Sequence, residues 1–509
     1  MTATKQTDAV GPETVGPVLV GSVKNQRNQP MLGGLFTPLA SESDDVELEV
    51  SGELPAGLRG MYVRNGPNPM FEPRGGYHMF DGDAMLHRVV LGDPNPTYRS
   101  RWIRSSALQA EIAAGRSLYG GLGELHLPSR KEVGTAGPIK NPANTNIVQH
   151  AGRFLALYEA APATEVTAEL ATVGLQTFGG AITGPFTAHP KVDPLTGELH
   201  AFSYLSEPPY LQYHQINALG EFVRTVNIEL SEAVVMHDFV VTEDYVVFVD
   251  SPLLMDLESA MNGGSMFRWE PEHGTRIGVL AHGEDQVRWF QTEDAYVNHF
   301  WNGWVEDGLL TFSGSVMTSE AYSTNDESAM NTEGAQADPG LPTRFSVDLN
   351  SGVVVQERLD ELGGDFPRIN EAYLGRPNRY RYMVAFSDKP DVIGHFDTVV
   401  SYDDHSGERA TWCAGPGMVV GEAVFVADPA GSEENDGWLL AVVSPRGFSH
   451  ASLNNDDVTS DSGISDLVVI DARDVASGPV ARVHLPHRLP FGFHGNFFAS
   501  SPAQEPADQ

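Results

Sequence analysis

Four histidines stand in apolar or aromatic surroundings, where a polar group without a partner costs free energy. At any one position a satisfied core histidine is the simpler interpretation. Four such residues in distant segments suggest another reading, because neutral imidazole is a good ligand for Fe, Cu, Zn or Ni. They are His189 in GPFTAHPKVD, His237 in AVVMHDFVV, His299 in AYVNHFWNGW and His494 in PFGFHGNFF.

An all-histidine site would leave the charge of the metal uncompensated among its direct ligands. Carboxylates are therefore expected behind the histidines, each accepting the outer N–H and setting the tautomer of one ring. Asp238 adjoins His237, but alternation along a strand predicts that it points away. The remaining candidates are acids embedded in apolar strands, namely Glu159 in FLALYEA, Asp365 in GGDFPRIN and Glu422 in VVGEAVFVAD.

The elements that must position these residues are almost all strands. AVVMHDFVV itself has the composition of a buried strand, and short β-branched or aromatic runs recur between turn dipeptides along the chain. One helix is expected from Ser106 to Leu122, with Ser106 as its N-cap. Short helical turns are expected near Met255–Met261 and Ser319–Tyr322.

Several runs form hairpins, in which a strand, an Asp and a Gly-containing turn precede the next strand. Repeated hairpins over 509 residues predict an all-β β-propeller, although their weak similarity does not set the number of blades. A propeller brings the inner strands of distant segments to one axis, where the four histidines could meet. The hairpin segments are KVDPLTGELHAFSY, SVDLNSGVVVQERL and VIDARDVASGPVARVHL.

Composition narrows the class of protein. A formal charge of −36 argues against nucleic acid as a partner and against electrostatic docking on anionic lipid. The single cysteine, Cys413, excludes intramolecular disulfides and thiolate clusters. No secretory signal or transmembrane run is evident, which predicts a cytoplasmic location.

No change of composition divides the chain, so a single domain is expected over residues 27–502. Flexible segments are expected at 1–26 and 503–509. Two polar stretches, Thr318–Gly340 and Asn454–Asp466, have the composition of solvated loops.

The segments that carry the histidines and carboxylates resemble those of the carotenoid cleavage oxygenases. The resemblance runs from about Pro38 to Phe498, and its motifs occur in a specific order. Besides the segments above, they are LRGMYVRNGPNP, YHMFDGDAMLH, NTNIVQHAGRFLALYEA, DFPRINEAYLGRP, GEAVFVAD, ENDGWLL and LPFGFHGNFF.

The resemblance implies a seven-bladed propeller with a helical and loop cap over one face. It also implies one Fe(II), with O₂ as co-substrate, bound by His189, His237, His299 and His494. Glu159, Asp365 and Glu422 fall on the carboxylate positions. Asp365 stands where the family usually has Glu, one methylene longer, so either direct contact or a bridging water remains open. RNGPNP and FDGDAMLH are interpreted as structural, with Asp81 and Asp83 capping backbone groups and His78 and His87 not among the ligands.

The implied reaction is cleavage of a carbon–carbon double bond of a hydrophobic alkene by O₂, giving two carbonyl products. A carotenoid or apocarotenoid is favoured, because Tyr158 stands where stilbene-cleaving members have Lys. A stilbenoid or phenylpropenoid substrate and a non-catalytic binding propeller remain alternatives. No obligate protein partner is expected, and residues 253–267 could make a weak membrane contact through Leu253, Leu254, Leu257, Met261 and Met266. The residues expected along the substrate tunnel are Tyr158, Phe300, Trp301, Phe366, Phe491 and Phe493.

Overall fold

The structure, a computed structural model, describes residues 30–92, 95–317, 340–387, 395–446 and 463–500. The expected flexible segments 1–26 and 503–509 lie outside the described residues. So do the helical turn Ser319–Tyr322, residues 318–339 of the first polar loop, and residues 454–462 of the second.

The described residues form 33 strands. The first group is β1 Ser43–Glu47, β2 Glu49–Gly52, β3 Gly60–Arg64, β4 Met85–Leu91, β5 Thr97–Trp102, β6 Asn146–His150, β7 Arg153–Leu157, β8 Ala163–Val166, β9 Thr172–Gln176, β10 Lys191–Val192 and β11 Leu199–Tyr204. The second is β12 Tyr210–Ile216, β13 Phe222–Glu229, β14 Val240–Val241, β15 Tyr245–Asp250, β16 Leu253–Met255, β17 Phe267–Trp269, β18 Thr275–Ala281, β19 Val287–Thr292, β20 Tyr296–Glu306, β21 Leu309–Met317 and β22 Leu341–Asp348. The third is β23 Val354–Arg358, β24 Gly364–Arg368, β25 Tyr380–Ala385, β26 Thr398–Asp403, β27 Glu408–Cys413, β28 Met418–Val420, β29 Val424–Ala427, β30 Gly437–Pro445, β31 Asp466–Asp471, β32 Pro479–His484 and β33 Gly495–Ala499.

Seven antiparallel sheets are the blades of a propeller, which confirms the expected fold. Blade 1 has the order β1-β5-β4-β3-β33, blade 2 runs from β6 to β9, and blade 3 from β10 to β13. Blade 4 is β14-β15-β18-β19, blade 5 runs from β20 to β23, and blade 6 from β24 to β27. Blade 7 has the order β2-β32-β31-β30-β28, with β29 also paired to β30.

The three hairpin segments predicted from the sequence are confirmed. KVDPLTGELHAFSY forms β10 and β11, SVDLNSGVVVQERL forms β22 and β23, and VIDARDVASGPVARVHL forms β31 and β32.

Two pairings close the ring. The last strand, β33, pairs with β3 from Gly60 opposite Ala499 to Arg64 opposite Gly495. The early strand β2 pairs with β32 in blade 7. Blades 1 and 7 are therefore each assembled from segments far apart in sequence, so neither forms before both are present.

The hydrophobic core lies between adjacent blades. Phe202 of blade 3 packs on Phe248 of blade 4, with ring centroids 6.3 Å apart, and both are fully buried. Phe312 and Phe345 of blade 5 stack at 4.8 Å in a cluster shared with blade 4. Burying such a side chain contributes about 1.5–3 kcal/mol, so these contacts hold the blades at set angles around the axis.

Helices are few among the described residues and lie in connections between strands. α1 (Ser106–Ala114) is shorter than expected, because Gly115 adopts a left-handed conformation at φ 66° and ends it. Its N-cap is Ser105, one residue before the expected Ser106, and its side chain accepts from the Leu108 N–H. α2 is Arg130–Val133 and α3 is Leu257–Met261. The 3₁₀ turns are Pro30–Leu32, Gly34–Phe36, Met79–Asp81, Pro271–His273, Glu371–Tyr373 and Val475–Ser477.

The segment suggested as a membrane contact is a hairpin of β16 and β17 that carries α3. Leu253 and Leu254 are buried in it, so their expected place in an apolar patch is wrong. Leu257 and Met261 are exposed. In the described chain, no helix is long and apolar enough to cross a membrane. Weak membrane contact and the cytoplasmic location both stay predictions.

Candidate metal centre

Each of the seven blades directs one of the seven predicted residues toward a common point. Blades 1, 3, 4 and 5 supply histidines: His494 precedes β33, His189 precedes β10, His237 precedes β14, and His299 lies within β20. Blades 2, 6 and 7 supply carboxylates. Glu159 lies between β7 and β8, Asp365 in β24, and Glu422 between β28 and β29.

The structure brings the four histidines together. One nitrogen of each ring lies within 4.8 Å of the corresponding atoms of the other three. Five of the six ring pairs are edge to face, with centroids 4.5–4.9 Å apart. Three of the rings are buried, and the side chain of His237 is 15% exposed.

The inner nitrogens fit a metal ion. Nε2 of His189 and Nε2 of His237 are 3.0 Å apart. Imidazole nitrogens at right angles on one ion, with metal–nitrogen bonds of about 2.1 Å, would be separated by about 3.0 Å. Nε2 of His299 is buried without a hydrogen-bond partner. Because an unpaired buried polar atom is costly, this nitrogen is well suited to coordinate a metal ion bound by the cluster.

Three histidines meet a carboxylate at the outer nitrogen. Nδ1 of His237 lies 2.5 Å from Oε2 of Glu159, Nδ1 of His299 lies 2.8 Å from Oδ1 of Asp365, and Nδ1 of His494 lies 3.1 Å from Oε1 of Glu422. A carboxylate there requires Nδ1 to carry the proton and turns Nε2 inward as a lone-pair donor. Asp365 makes this contact directly, without the bridging water that its shorter side chain had suggested.

The surroundings favour the neutral form of two rings, His189 and His494, and shift His237 in the opposite direction. Burial, together with His494 and His237, holds the pKa of His189 well below its ordinary value. Burial also lowers the pKa of His494, although Glu422 opposes it. At His237 burial works in the same sense, but the charge and hydrogen bond of Glu159 outweigh it and raise the pKa.

The two buried acids respond in the opposite way. Burial alone would raise the pKa of Asp365 and Glu422. The His299 partner of Asp365, and Arg368 with His494 beside Glu422, outweigh burial and lower both values. Both carboxylates therefore carry negative charge near neutral pH, which would offset the charge of a bound cation.

Each carboxylate has its own support. Tyr204 donates its hydroxyl to Oε1 of Glu159 at 2.7 Å. Asn298 donates its amide to Oδ2 of Asp365 at 3.0 Å. The backbone N–H of Gly495 donates to Oε2 of Glu422 at 2.8 Å, with Arg368 at 3.5 Å from the other oxygen. These supporting residues were not singled out from the sequence, although Asn298 and Gly495 adjoin predicted histidines.

The expected strand over AVVMHDFVV is largely wrong. Only Val240–Val241 is a strand, and Val234 makes an isolated bridge to Leu254. Val235 still donates its backbone N–H to the Leu253 carbonyl at 2.9 Å. Met236 to Phe239 lie outside the strands, and there the Asp238 carboxylate accepts from the Phe239 and Phe300 amides. His237 can therefore point to the axis, and Asp238 is turned away from it as expected.

The RNGPNP loop holds the segment that carries His494. Asn65 donates its backbone N–H to the His494 carbonyl at 2.9 Å and accepts from the Phe493 amide at 3.0 Å. A Cβ on Gly66 would lie 2.7 Å from Cα of Gly492, so the close approach requires glycine. This loop is structural, as expected.

The acids of FDGDAMLH also serve as predicted. Asp81 accepts from three backbone amides and Asp83 from the Met70 amide. Neither His78 nor His87 belongs to the histidine cluster of the described residues.

The aromatic residues divide into two groups. Phe366, at a bulge in β24 with φ 55°, stacks on His299 at 5.5 Å and meets His494 at 5.0 Å. Phe491 and Phe493 belong to the same buried apolar cluster as Phe366 and lie 5.7 Å from each other. The other three residues expected along the tunnel are Phe300, Trp301 and Tyr158.

Phe300 and Trp301 do not join that cluster. Phe300 packs in the core between blades 4 and 5, and Trp301 in the core between blades 5 and 6. Irregular register around them in β20 breaks simple alternation, so proximity to His299 in sequence was a poor guide. Tyr158 is partly buried, and burial, with Asp81 and Glu159, raises the pKa of its hydroxyl.

A seven-bladed propeller with four inward histidines, three of them backed by acids, defines a class of protein with a candidate metal centre on its axis. The family model of the retinal pigment epithelial membrane protein, RPE65, matches residues 36–499. A carotenoid cleavage oxygenase of Mycobacterium tuberculosis is 34% identical over 93% of this chain and 98% of its own. A carotenoid 9,10(9',10')-cleavage dioxygenase of Phaseolus vulgaris is 33% identical over 94% of this chain and 90% of its own.

Solved structures agree. The lignostilbene dioxygenase of Pseudomonas brassicacearum superposes with a TM-score of 0.82 at 29% identity, covering 93% of this chain and 99% of that one. Cobalt-substituted Synechocystis ACO gives 0.80 at 25% identity, covering 94% and 99%. The chain therefore belongs to the carotenoid cleavage oxygenase family and is a dioxygenase by class.

Proposed function

We propose that this protein is a non-haem Fe(II) dioxygenase that cleaves a double bond of a carotenoid or apocarotenoid to give two carbonyl products. The observation that carries the proposal is the four-histidine cluster, in a chain whose relatives are named carotenoid cleavage dioxygenases. The proposed iron ligands are His189, His237, His299 and His494. Glu159, Asp365 and Glu422 are the proposed acceptors of their outer N–H groups.

The reaction balances with the groups named. One carbon–carbon double bond and one O₂ become two carbonyl groups, so no external reductant is consumed. When bound, Fe(II) supplies the redox chemistry that lets O₂ add across an electron-rich alkene. The protein contributes four inward nitrogens in fixed tautomers, and the charge of its acids offsets that of the ion.

The chain also supplies an apolar surface for the alkene. Phe366 stands over His299 and His494. Phe493 and Phe80, with ring centroids 5.0 Å apart, extend the surface toward the 3₁₀ turn Met79–Asp81. Such walls exclude water and contact a long hydrocarbon without demanding polar partners. A hydrophobic polyene suits this surface.

A stilbenoid is the second candidate, favoured by the likeness to the lignostilbene dioxygenase structure. Tyr158 argues against it. Its hydroxyl lies among the charges of Asp81 and Glu159, which help to raise its pKa. A phenolate substrate would meet these acids without the neutralising Lys that stilbene-cleaving members have there, so a neutral polyene is preferred.

The test is turnover of the iron-loaded protein on β-carotene, apocarotenals, resveratrol and isoeugenol, with mass spectrometry of the aldehydes. We expect cleavage of the carotenoid or apocarotenal, and Tyr158→Lys as a comparison variant should gain activity on resveratrol. Cleavage of resveratrol or isoeugenol alone would replace the proposed substrate by the second candidate. No cleavage of any of the four by iron-loaded protein would contradict the proposed reaction.

A further inference from the structure

One buried ion pair lies immediately behind the histidine cluster. Nζ of Lys191 is 2.8 Å from Oδ1 of Asp238, and the two side chains are 18% and 2% exposed. Lys191 is the first residue of β10 in blade 3, and Asp238 precedes β14 in blade 4. The pair therefore joins the N-terminal ends of the inner strands of two neighbouring blades.

The same carboxylate reaches a third blade. Oδ2 of Asp238 accepts from the backbone N–H of Phe300 in β20 at 3.0 Å, while Oδ1 also accepts from Phe239 at 2.8 Å. Asp238 thus has three donors from blades 3, 4 and 5, which satisfies a charge that burial would otherwise make costly.

Every point that this network anchors is next to a histidine of the cluster. Lys191 follows His189 by two residues, Asp238 follows His237 by one, and Phe300 follows His299 by one. None of the hydrogen bonds of the described residues joins Asp238 to an imidazole. The charges of Asp238 and Lys191 act on the rings of His237 and His189 through space, whereas their effect on the positions of the rings passes through the backbone.

His189 has the greatest need of such support. The other three rings have Glu159, Asp365 or Glu422 at Nδ1. Within the described part of the chain, no carboxylate is bonded to His189. Its ring is set by its backbone and by the close approach of its Nε2 to His237.

An ion pair is an unusual choice if stability alone is at stake. A buried pair gains little over well-packed apolar side chains, because both charges lose their hydration. It does impose a single short separation between two backbone segments, in the way that buried polar groups can impose one register. A short, directional contact suits a site whose ligand atoms must lie about 3 Å apart.

We propose that Lys191 and Asp238 are positioning residues that set the spacing of His189, His237 and His299 for metal binding. The inference rests on the proposed metal centre. Without the pair, the N-terminal ends of β10 and β14 would separate, and His189 would move away from His237 and the other rings.

The chain contains a matched control pair. Nζ of Lys140 is 2.7 Å from Oδ1 of Asp83, with side chains 14% and 3% exposed, and Asp83 likewise accepts a backbone amide, from Met70. Lys140 also lies 2.8 Å from Oε2 of the buried Glu111, so its loss leaves two carboxylates without their cation. The Lys140–Asp83 pair ties the connection between β5 and β6 to the start of β4 in blade 1, and neither of its residues adjoins a cluster histidine. Substituting Lys140 tests what the loss of a comparably buried lysine ion pair does to stability, and its effect should be at least as large because two carboxylates lose their partner.

The experiment titrates the metal-free protein with Co(II) and records both affinity and the visible spectrum of the bound ion, with thermal unfolding measured separately. We expect Lys191→Met to lower the Co(II) affinity about tenfold or more, the lower end of what outer partners of a metal site give, and to change the spectrum. Lys191→Arg should restore both. Lys140→Met should lower the unfolding temperature at least as much but leave Co(II) affinity within about twofold of the parent, since it disturbs no metal-positioning contact. Asp238→Asn, which keeps the size of the side chain, should repeat the Lys191→Met result and replaces it if that variant does not fold.

Three results would overturn the inference. Unchanged Co(II) affinity and spectrum in Lys191→Met and Asp238→Asn would show that the pair does not position the histidines. Equal loss of affinity in Lys140→Met would make the effect one of general destabilisation. A parent protein that binds no Co(II) and no Fe(II) would instead overturn the proposed metal centre, and with it the inference.

Discussion

His189 and His237 are neighbours in space but are held in different ways. His237 donates to Glu159, which is supported in turn by Tyr204, so a chain of side chains orients the ring. His189 lacks such a chain, and its backbone is placed by the ion pair of Lys191 and Asp238. A metal-ligating histidine can thus be oriented either by a hydrogen bond to its ring or by a contact that fixes its backbone. The first device acts on the basicity of the nitrogen through a direct hydrogen bond, whereas the second fixes the position of the backbone and reaches the ring only through space.

Removal of a histidine ring should have the largest effect on iron binding, and the effect should be the same at His189 and at His237. We expect His189→Ala and His237→Ala each to abolish stoichiometric iron binding and turnover, because both rings are proposed as direct ligands. The loss should exceed the roughly 10–100-fold that outer partners cause. Metal analysis after anaerobic reconstitution measures it, and circular dichroism checks that the variants are folded. Full activity in either variant would remove that histidine from the ligand set.

Removal of one outer carboxylate should have a smaller effect. Asp365→Ala leaves Nδ1 of His299 without its acceptor at 2.8 Å, so we expect iron affinity to fall about 10–100-fold. Isothermal titration with Fe(II) under argon measures the change. Asp360→Ala is the control, since its carboxylate pairs with Arg409 at the surface, 2.7 Å away. If Asp365→Ala binds iron as tightly as that control, Asp365 is only structural.

Removal of the group behind a carboxylate should have the smallest effect. Tyr204→Phe deletes one hydrogen bond to Glu159 and keeps the ring. Such a bond to a charged group is worth about 1.5–3 kcal/mol in total, and only part of that reaches His237. We therefore expect a loss of iron affinity below about tenfold, seen in the same titration. A loss as large as that of Asp365→Ala would mean that Tyr204 acts on the metal centre more directly.

The sequence was informative where a residue type was out of place. Histidines in apolar runs, and acids in strands such as VVGEAVFVAD, carry a cost that only a partner removes, and the structure brings all seven together. The hairpins were equally readable, since their turns need Gly and their strands alternate. The number of blades came from family resemblance, because sequence similarity between the repeats is weak.

Other features depend on tertiary contacts that local patterns do not record. AVVMHDFVV has strand composition, yet most of it lies outside the sheet, and Asp238 bonds the backbone amides of Phe239 and of the distant Phe300. The register shifts in β20 that carry Phe300 and Trp301 into cores between blades have no clear sign in NHFWNGW. Lys191 could have been found: an acid in an apolar run needs a cation, and AHPKVD offers one beside another cluster histidine.

Closure of the propeller ring determines when, during protein synthesis, the candidate metal centre can be completed. His494 and β33 are made last among the described elements, and β33 completes blade 1 by pairing with β3 near the start of the fold. Until the ribosome has released that segment, one histidine is missing and the circle is open. A nascent chain that lacks this segment therefore cannot assemble the complete histidine set, so the proposed metal binding would require that the described propeller has been synthesised and closed.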